Sequence, residues 1–361
     1  MTKQEVVDRI LSGRSRHPGR VGTAFAPANI ALCKYWGKRN ETLHLPETSS
    51  LSISLGTLGA WTWISPACRD RVVVHGTPLP PAHPFARRLL RYLDLFRQGT
   101  SLHFHVTTCS NLPIGAGLAS SAAGFAALVL ALDRLFGWEL CGRELSILAR
   151  LGSGSACRSI HRGFVRWERG HAEDGSDSFA RPLPFVWPAL RVGLCIVSTE
   201  EKAIGSSAAM RHSAETSPRY AAWLRRVPGD LSRIEAALAD GDFDRLGQTA
   251  EANALAMHAV LHAARPPIRY WTAQSVALLE RVRSLRRDGI SLYATIDAGP
   301  NVKLLFQAED TEQIRQAFPG VKIVCPFSQE TLRGSLPQEA EGDSGGRSTD
   351  PFRAAEERCV R

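Results

Sequence analysis

Residues 113–124 have the sequence Pro113-Ile114-Gly115-Ala116-Gly117-Leu118-Ala119-Ser120-Ser121-Ala122-Ala123-Gly124, and an alanine-rich apolar segment follows as far as Gly137. This order predicts a glycine-rich loop that leads into a buried helix ending near Gly137. The first turn of a helix carries unpaired backbone N–H groups and the positive end of the helix dipole, so it attracts an anion without a lysine. Gly115 and Gly117 would let the backbone approach phosphate oxygens, because neither carries a Cβ. The run predicts a phosphate-binding loop, with a Ser-capped loop before a core helix as the alternative interpretation.

The loop lacks the two common nucleotide motifs, because it has no Gly-Lys-Ser/Thr ending and no dinucleotide-binding spacing with a downstream acid. It instead resembles the Pro-x-Gly-x-Gly-Leu-x-Ser-Ser-Ala-Ala loop of the GHMP small-molecule kinases, the superfamily of galactokinase, homoserine kinase, mevalonate kinase and phosphomevalonate kinase. The resemblance implies that the loop binds the phosphates of ATP together with Mg²⁺, and that Ser120 and Ser121 are candidate metal ligands. The implied ATP-binding residues are Pro113, Gly115, Gly117, Leu118, Ala119, Ser120, Ser121 and Ala122.

Length and composition set the broad class of the protein. A chain of 361 residues with 44% hydrophobic and 22% charged residues predicts an ordinary globular protein with two domains or one large one. The formal net charge is +9, yet Arg and Lys are scattered in short clusters such as Arg87-Arg88. This pattern favours a solvated surface and an anionic substrate over nucleic acid, whose binding proteins carry a basic stripe with interleaved aromatic residues.

The chain has no feature of a membrane or secreted protein. No apolar run approaches the roughly 20 residues that span a bilayer, and the N-terminus lacks the apolar core of a signal peptide. The eight cysteines form no Cys-x-x-Cys pair and no zinc-type spacing with His, so most are expected to be buried thiols in a reducing, cytoplasmic compartment. Residues 1–21 are predicted to be a loose leader, and residues 334–361 a disordered tail.

Two lysines flank an aromatic pair early in the chain, in Lys34-Tyr35-Trp36-Gly37-Lys38. Lysine is otherwise rare here and arginine abundant, so a site that retains lysine is suited to a compact charge rather than a guanidinium fork. The alternative is that Lys34, Tyr35 and Trp36 are surface and core residues at the end of a strand. Residues 45–55 then alternate apolar and polar side chains, as in a half-buried strand.

Two later segments place a charged side chain beside a turn. Small residues surround an arginine in Gly152-Ser153-Gly154-Ser155-Ala156-Cys157-Arg158-Ser159, which can form a floor where a phosphate or carboxylate meets a bidentate guanidinium. A Ser/Gly turn with a solvated arginine would give the same pattern. Further along, Asp297 follows an apolar strand and precedes Ala298-Gly299-Pro300-Asn301. An aspartate there is either a turn former or a carboxylate held at a strand edge for catalysis.

The second half of the chain begins with an apolar strand near residues 192–199, which is predicted to open a second domain. Helical periodicity follows over residues 231–246 and 249–264. His258 lies in the second helical segment and is predicted to be a packed or hydrogen-bonded helix residue rather than a ligand.

Several of these segments, in order, resemble the diphosphomevalonate decarboxylase family, the ATP-dependent decarboxylases of the GHMP superfamily. The similar text includes Ala-Pro-x-Asn-Ile-Ala-x-x-Lys-Tyr-Trp-Gly-Lys-Arg from residue 26, the run at 152–159, Gly-Ser near Ser206, and Asp-Ala-Gly-Pro-Asn from residue 297. The resemblance implies an α+β protein with the GHMP kinase fold. It places a ribosomal protein S5 domain 2-like, ATP-binding domain at residues 22–190 and a ferredoxin-like α+β domain at residues 191–330, with the site in the cleft between them.

The same resemblance implies the chemistry. Members of the family convert mevalonate 5-diphosphate and ATP to isopentenyl diphosphate, ADP, phosphate and CO₂, through phosphorylation of the C3 hydroxyl. In that reaction Asp297 would orient or deprotonate the hydroxyl, and Arg158 would grip the substrate carboxylate. Lys34 and Lys38 would balance charge on the transferring phosphoryl group. The implied substrate-binding residues are Tyr35, Trp36, Lys38, Ser153, Ser155, Arg158 and Ser206.

Close relatives of this family leave alternatives open. Some decarboxylate 5-phosphomevalonate, and others only phosphorylate mevalonate at O3; the pure 3-kinases tend to lack the acid at the position of Asp297, so its presence favours decarboxylation. A GHMP-fold ligand sensor without turnover is disfavoured, since all the candidate catalytic side chains are present. Family members are commonly homodimers, so a homodimer is expected.

Overall fold

The computed structural model describes residues 1–97, 99–112, 120–200 and 202–328. Within these ranges the protein has the expected α+β character. The helices are α1 (Lys3–Ile10), α2 (Pro84–Leu93), α3 (Ser120–Phe136), α4 (Gly142–Gly152), α5 (Ser206–Thr216), α6 (Tyr220–Asp240), α7 (Phe243–His262), α8 (Ala273–Arg287) and α9 (Thr311–Ala317). The strands are β1 (Gly22–Cys33), β2 (Lys38–Asn40), β3 (Leu45–Pro46), β4 (Ser50–Ala67), β5 (Arg71–Val74), β6 (Thr77–Leu79), β7 (His103–Ser110), β8 (Phe164–Trp167), β9 (Ala180–Pro182), β10 (Leu190–Cys195), β11 (Tyr293–Ile296), β12 (Val302–Gln307) and β13 (Lys322–Val324).

The N-terminal half is built on one sheet with the strand order β6-β5-β7-β4-β8-β9, to which β1 adds by pairing with β4. Helix α3 packs on β1 and β4, and Ala122 and Ala126 on it are completely buried. A Cβ on Gly22 would lie 2.0 Å from the carbonyl oxygen of Ala131, so only a glycine lets the helix approach β1 this closely. The helix ends before Gly137, which has a φ of 61°, as predicted.

The second half contains a four-stranded antiparallel sheet with the order β11-β12-β10-β13. Side chains alternate along β12, so Val302, Leu304 and Phe306 share a core with α8 and α9. Lys303 and Leu305 lie on the opposite face, where Leu305 joins the core that includes α7. An antiparallel sheet with helices against it agrees with the expected ferredoxin-like architecture.

The predicted helix over residues 231–246 is wrong in its bounds, because a helix boundary falls inside it. Helix α6 ends at Gly241, whose φ of 68° belongs to the left-handed region. Asp242 then caps α7, its side chain accepting a hydrogen bond from the backbone of Arg245 at 3.0 Å. Apolar residues continue on both sides at helical spacing, so the periodicity alone concealed this break.

The expectation that residues 1–21 form a loose leader is also wrong. Helix α1 begins with a capping box between Thr2 and Glu5, and Val6 and Val7 are completely buried. The Lys3 ammonium donates to the carbonyl oxygen of Leu151 at the end of α4, at 2.7 Å. The sequence does show a short amphipathic turn from Val6 to Leu11, and its apolar side chains join the hydrophobic core of the N-terminal half.

The predicted domain boundary between residues 190 and 191 falls at the start of β10, the first strand of the second sheet along the chain. One hydrophobic core nevertheless includes residues from both sides, such as Leu32 and Met257. The predicted tail, residues 334–361, and residues 113–119 of the ATP loop lie outside the described residues. Among the helices that the structure describes, none combines the length and apolar character needed to cross a bilayer.

We expect Val7→Ala to lower the free energy of unfolding by about 2 kcal/mol, because it removes buried methyl groups and leaves a cavity. The matched control is Asp8→Ala on the exposed side of α1, which should change it by less than about 0.5 kcal/mol. Urea titration followed by tryptophan fluorescence measures both. Equal, small effects for the two variants would show that α1 does not contribute to the core.

Candidate active site

A cleft of about 830 Å³ lies between the two halves of the chain. It brings together side chains as far apart in sequence as Lys34 and Asp297, which are separated by 263 positions. The predicted site residues that line it are Lys34, Tyr35, Trp36, Lys38, Ser121, Ser153, Ser155, Arg158, Ser206 and Asp297. All the predicted catalytic residues therefore share one cavity.

Asp297 lies immediately after β11, at the edge of the cleft. Its Oδ1 accepts a hydrogen bond from the Lys34 ammonium at 2.7 Å, and its Oδ2 is 3.2 Å from the Lys303 ammonium. Both lysine side chains are only 2% exposed. Burial by itself would raise the pKa of Asp297, but the charges of Lys303 and Lys34 outweigh it and hold that pKa well below its usual value. The carboxyl group is therefore ionised at neutral pH.

Lys34 is fixed at both its backbone and its side chain. Its N–H donates to Asn253 Oδ1 at 2.8 Å, and its ammonium also donates to the carbonyl oxygen of Ala31 at 2.8 Å. Asn253 in turn donates to Asp230 Oδ2 at 2.9 Å, and both of these polar residues are completely buried. Burial lowers the pKa of Lys34, and the adjacent Asp297 carboxylate opposes that shift. Neither Asn253 nor Asp230 was predicted from the sequence, because isolated polar residues in a helix form no motif.

Arg158 lies in the 3-10 helix Gly154–Ile160 and is 3% exposed. Its Nε donates to Asn29 Oδ1 at 3.2 Å and its Nη1 to Ser50 Oγ at 2.7 Å. These neutral partners orient the guanidinium without neutralising it. No carboxylate of the described residues forms an ion pair with Arg158, so its charge remains available to an anion in the cleft.

Tyr35 and Trp36 line the cleft in different ways. The Tyr35 ring packs edge-on against Trp167, with centroids 4.7 Å apart, and its hydroxyl has no hydrogen-bond partner within the part of the chain that the structure describes. A Cβ on Gly154 would lie 2.8 Å from that hydroxyl oxygen, so the glycine makes room for the ring. The indole N–H of Trp36 donates to Ser213 Oγ of α5 at 2.9 Å, so this N–H already has a hydrogen-bond acceptor.

Lys38 and Ser206 also line the cleft. The Lys38 ammonium donates to Glu41 Oε2 at 2.8 Å and to Ser207 Oγ at 3.0 Å. Ser206 begins α5 and accepts a hydrogen bond from the Lys202 ammonium at 3.3 Å. Lys202 also lines the cleft, although the sequence analysis did not select it. The N-terminus of α5 therefore presents hydroxyl groups and a lysine to the same cavity.

The prediction that His258 is a packed helix residue is confirmed. It is 1% exposed on α7, and its ring centroid lies 4.6 Å from that of Trp271. Burial and the nearby Lys34 charge lower the pKa of His258 to about 3, so the ring is neutral.

Only part of the predicted ATP-binding loop is described. Ser121 lines the cleft at the start of α3, whereas the Ala122 side chain is buried in the core. Beyond Ser121 the cleft continues along an apolar wall that the sequence analysis missed, because such a wall carries no motif. Its residues include Val74, His75, Leu79, Phe85, Leu89, Cys109 and Leu128. Among the described residues, no group of three or more His, Cys, Asp or Glu side chains could hold a metal ion.

Comparison with known families identifies both halves of the chain. Residues 26–180 match the diphosphomevalonate decarboxylase-like N-terminal domain. Residues 192–342 match the mevalonate 5-diphosphate decarboxylase C-terminal domain. The diphosphomevalonate decarboxylase of Danio rerio is 38% identical over 323 residues, which cover 82% of this chain and 80% of that protein.

Solved structures give the same result. Mevalonate diphosphate decarboxylase from Staphylococcus aureus has a TM-score of 0.80 and 33% identity, over 85% of this chain and 95% of that chain. The structure of MDDEF in complex with MVAPP, AMPPCP and magnesium has a TM-score of 0.79 and 37% identity, over 85% of this chain and 98% of that chain. The expected GHMP kinase fold is confirmed by these likenesses. The chain belongs to the diphosphomevalonate decarboxylase family.

Proposed function

We propose that this protein catalyses the ATP-dependent decarboxylation of mevalonate 5-diphosphate to isopentenyl diphosphate, ADP, phosphate and CO₂, through phosphorylation of the C3 hydroxyl. The observation that carries the proposal is the pairing, in one cleft, of an ionised Asp297 held by Lys34 with an Arg158 that has no carboxylate partner among the described residues. A related structure in complex with MVAPP, AMPPCP and magnesium supports the choice of both substrates.

Asp297 is proposed to orient the C3 hydroxyl for attack on the γ-phosphoryl group. Two ammonium groups contact its two oxygens, and a carboxylate with a strongly lowered pKa is a weak base. Its negative charge is therefore better suited to accept a hydrogen bond from the hydroxyl than to remove the proton outright. This favours a positioning anion over a general base, the question that the sequence left open.

Lys34 is proposed to stabilise charge on the transferring phosphoryl group. Its ammonium is already desolvated and fixed by Asp297 and Ala31, so little reorganisation is needed when charge develops. Lys38 would assist, with its ammonium held by Ser207 and Glu41. The transfer leaves the C3 oxygen as a phosphate ester, which is a far better leaving group than hydroxide.

Arg158 is proposed to hold the substrate carboxylate, with Ser153 and Ser155 lining the same floor. When the C3–O bond breaks, its electron pair departs with phosphate. The electrons of the C–CO₂ bond then form the new double bond as CO₂ leaves. A guanidinium that has only neutral hydrogen-bond partners can bind the carboxylate in a fixed orientation before this step.

The remaining predicted residues are proposed to position the substrate. Ser206 and Lys38 present a hydroxyl and an ammonium where a diphosphate would lie, and the Tyr35 hydroxyl is free to donate within the described surroundings. Trp36 would contribute its ring alone, because Ser213 occupies its N–H.

ATP is proposed to lie along the apolar wall, with its phosphates at the N-terminus of α3. The predicted phosphate site remains the loop that contains Pro113, Gly115, Gly117, Leu118, Ala119, Ser120, Ser121 and the backbone of Ala122. Mg²⁺ prefers oxygen ligands and keeps phosphates and waters in its shell, so a hydroxyl such as that of Ser121 fits it without a carboxylate cluster. When bound, the ion would neutralise phosphate charge.

The cellular setting of the enzyme is proposed from its cysteines. Free thiols at Cys33, Cys68, Cys141, Cys157 and Cys195 are in line with a cytoplasmic location. Domains at 22–190 and 191–330, a homodimer and the absence of nucleic-acid and membrane partners stay predictions.

The proposed function is tested by ATP-dependent CO₂ release from carboxyl-labelled mevalonate 5-diphosphate, with 5-phosphomevalonate and mevalonate in parallel and ADP counted in each. We expect release with the diphosphate alone, in a one-to-one ratio with ADP. Release only from the monophosphate would assign the sister decarboxylase. ADP without CO₂ would indicate a 3-kinase and leave Arg158 without its role. If neither ADP nor CO₂ is formed, the protein is a ligand sensor.

We expect Asp297→Asn and Arg158→Ala to lower kcat by about a thousandfold or more, because each removes a charge that acts in the transition state. Binding of a nonhydrolysable ATP analogue, measured by calorimetry, should survive in both variants. Asp288→Asn and Arg181→Ala, at exposed positions, serve as matched controls and should retain full activity. A near-normal rate for Asp297→Asn would refute the role assigned to this carboxylate.

A further inference from the structure

A second buried lysine contacts Asp297 from outside the cleft. Lys303 lies on β12, opposite Thr295 of the neighbouring strand β11. Its ammonium is 3.2 Å from Asp297 Oδ2 and donates to the carbonyl oxygen of Asn301 at 3.2 Å. The side chain is 2% exposed, and Lys303 is absent from the residues that line the cleft. It therefore contacts the catalytic carboxylate without lining the cleft itself.

Packing alone does not account for a lysine at this position. Its neighbours along the strand, Val302 and Leu304, are completely buried, and Leu305 on its own face belongs to the hydrophobic core. A buried ammonium is costly unless it is paired. The oxygen partners of Lys303 are the Asp297 carboxylate and the carbonyl of Asn301, so the contact with Asp297, rather than packing, accounts for a lysine in this core.

We propose that Lys303 is a positioning residue that fixes the orientation and charge of the Asp297 carboxylate, a role that rests on the proposed function. Lys34 holds Oδ1 and Lys303 holds Oδ2, so the carboxylate cannot rotate about its χ2 bond without losing a charged hydrogen bond. The two lysines hold the carboxylate in one orientation toward the C3 hydroxyl. They also keep the carboxylate from taking up a proton.

Every element packed around Asp297 contributes to its charge environment. Lys34 follows β1, Lys202 precedes α5, and Arg158 comes from the 3-10 helix of the N-terminal half. His258 of α7 is close but uncharged. Loss of Lys303 therefore leaves other cations in place, but Lys34 is then the one cation of the described residues that still contacts the carboxylate. The pKa of Asp297 should then rise, so protonation, and the loss of activity that follows it, should occur at a higher pH.

The test compares Lys303→Met with Lys322→Met, a matched change at an exposed lysine on β13 of the same sheet. We expect Lys303→Met to lower kcat about ten- to a hundredfold, as for the loss of one hydrogen bond to a charged group, with KM changed less than about threefold. The acidic limb of its kcat–pH profile should move to higher pH. Lys322→Met should match the wild type in all of these.

A kcat within about twofold of the wild type, or a reduced kcat with an unmoved acidic limb, would overturn the proposal. Should Lys303→Met fail to fold, Lys303→Gln, which keeps a donor but not the charge, carries the same test. A crystal structure of the variant gives a readout that does not depend on turnover, since the Asp297 carboxylate should rotate from its wild-type orientation. An inactive wild-type enzyme would refute the proposed function, whereas an unmoved Asp297 would refute only the role of Lys303.

Discussion

The site depends on one ion pair buried between the two halves of the chain, from the Lys34 ammonium to Asp297 Oδ1 at 2.7 Å. Removing Asp297 would leave the buried Lys34 and Lys303 ammonium groups without their carboxylate, which is far more costly than the pair itself. Further contacts fix both partners: Ala31 and Asn253 hold Lys34, and Lys303 holds the second oxygen of Asp297. These partners come from β1, α7 and β12. The geometry of the site therefore depends on how the two sheets and α7 pack together.

The charges around this pair do not balance. Lys34, Lys202 and Arg158 line the same cleft as Asp297, so the described part of the cleft has a net positive charge, and Lys303 adds to it from outside the lining. Such an excess complements a substrate that carries a carboxylate and phosphates, and its groups are fixed before the substrate arrives. Preorganised charge of this kind is the largest contribution that a protein makes to phosphoryl transfer. The apolar wall beyond α3 supplies the contrasting environment that a nucleotide base requires.

The grouping of Lys34, Arg158 and Asp297 in one cleft could be predicted from sequence, because each lies in a short run with distinctive neighbours. Their partners could not. Lys303 looks like an ordinary strand lysine until the turn after β11 places Asp297 against its ammonium group. Asn253 looks like a polar helix residue until the fold brings it to the backbone of Lys34, 219 positions away. The errors in the fold have the same origin, since the burial of Val7 and the break at Gly241 depend on tertiary packing and a single φ angle rather than on periodicity.

The most direct test of the central claim is a crystal structure of the protein with mevalonate 5-diphosphate and a nonhydrolysable ATP analogue. Our account predicts the C3 hydroxyl within about 3.2 Å of an Asp297 oxygen and the substrate carboxylate in a bidentate contact with Arg158. It also predicts the γ-phosphoryl group beside the Lys34 ammonium. A substrate whose carboxylate points away from Arg158, or whose hydroxyl lies beyond hydrogen-bond reach of Asp297, would contradict it.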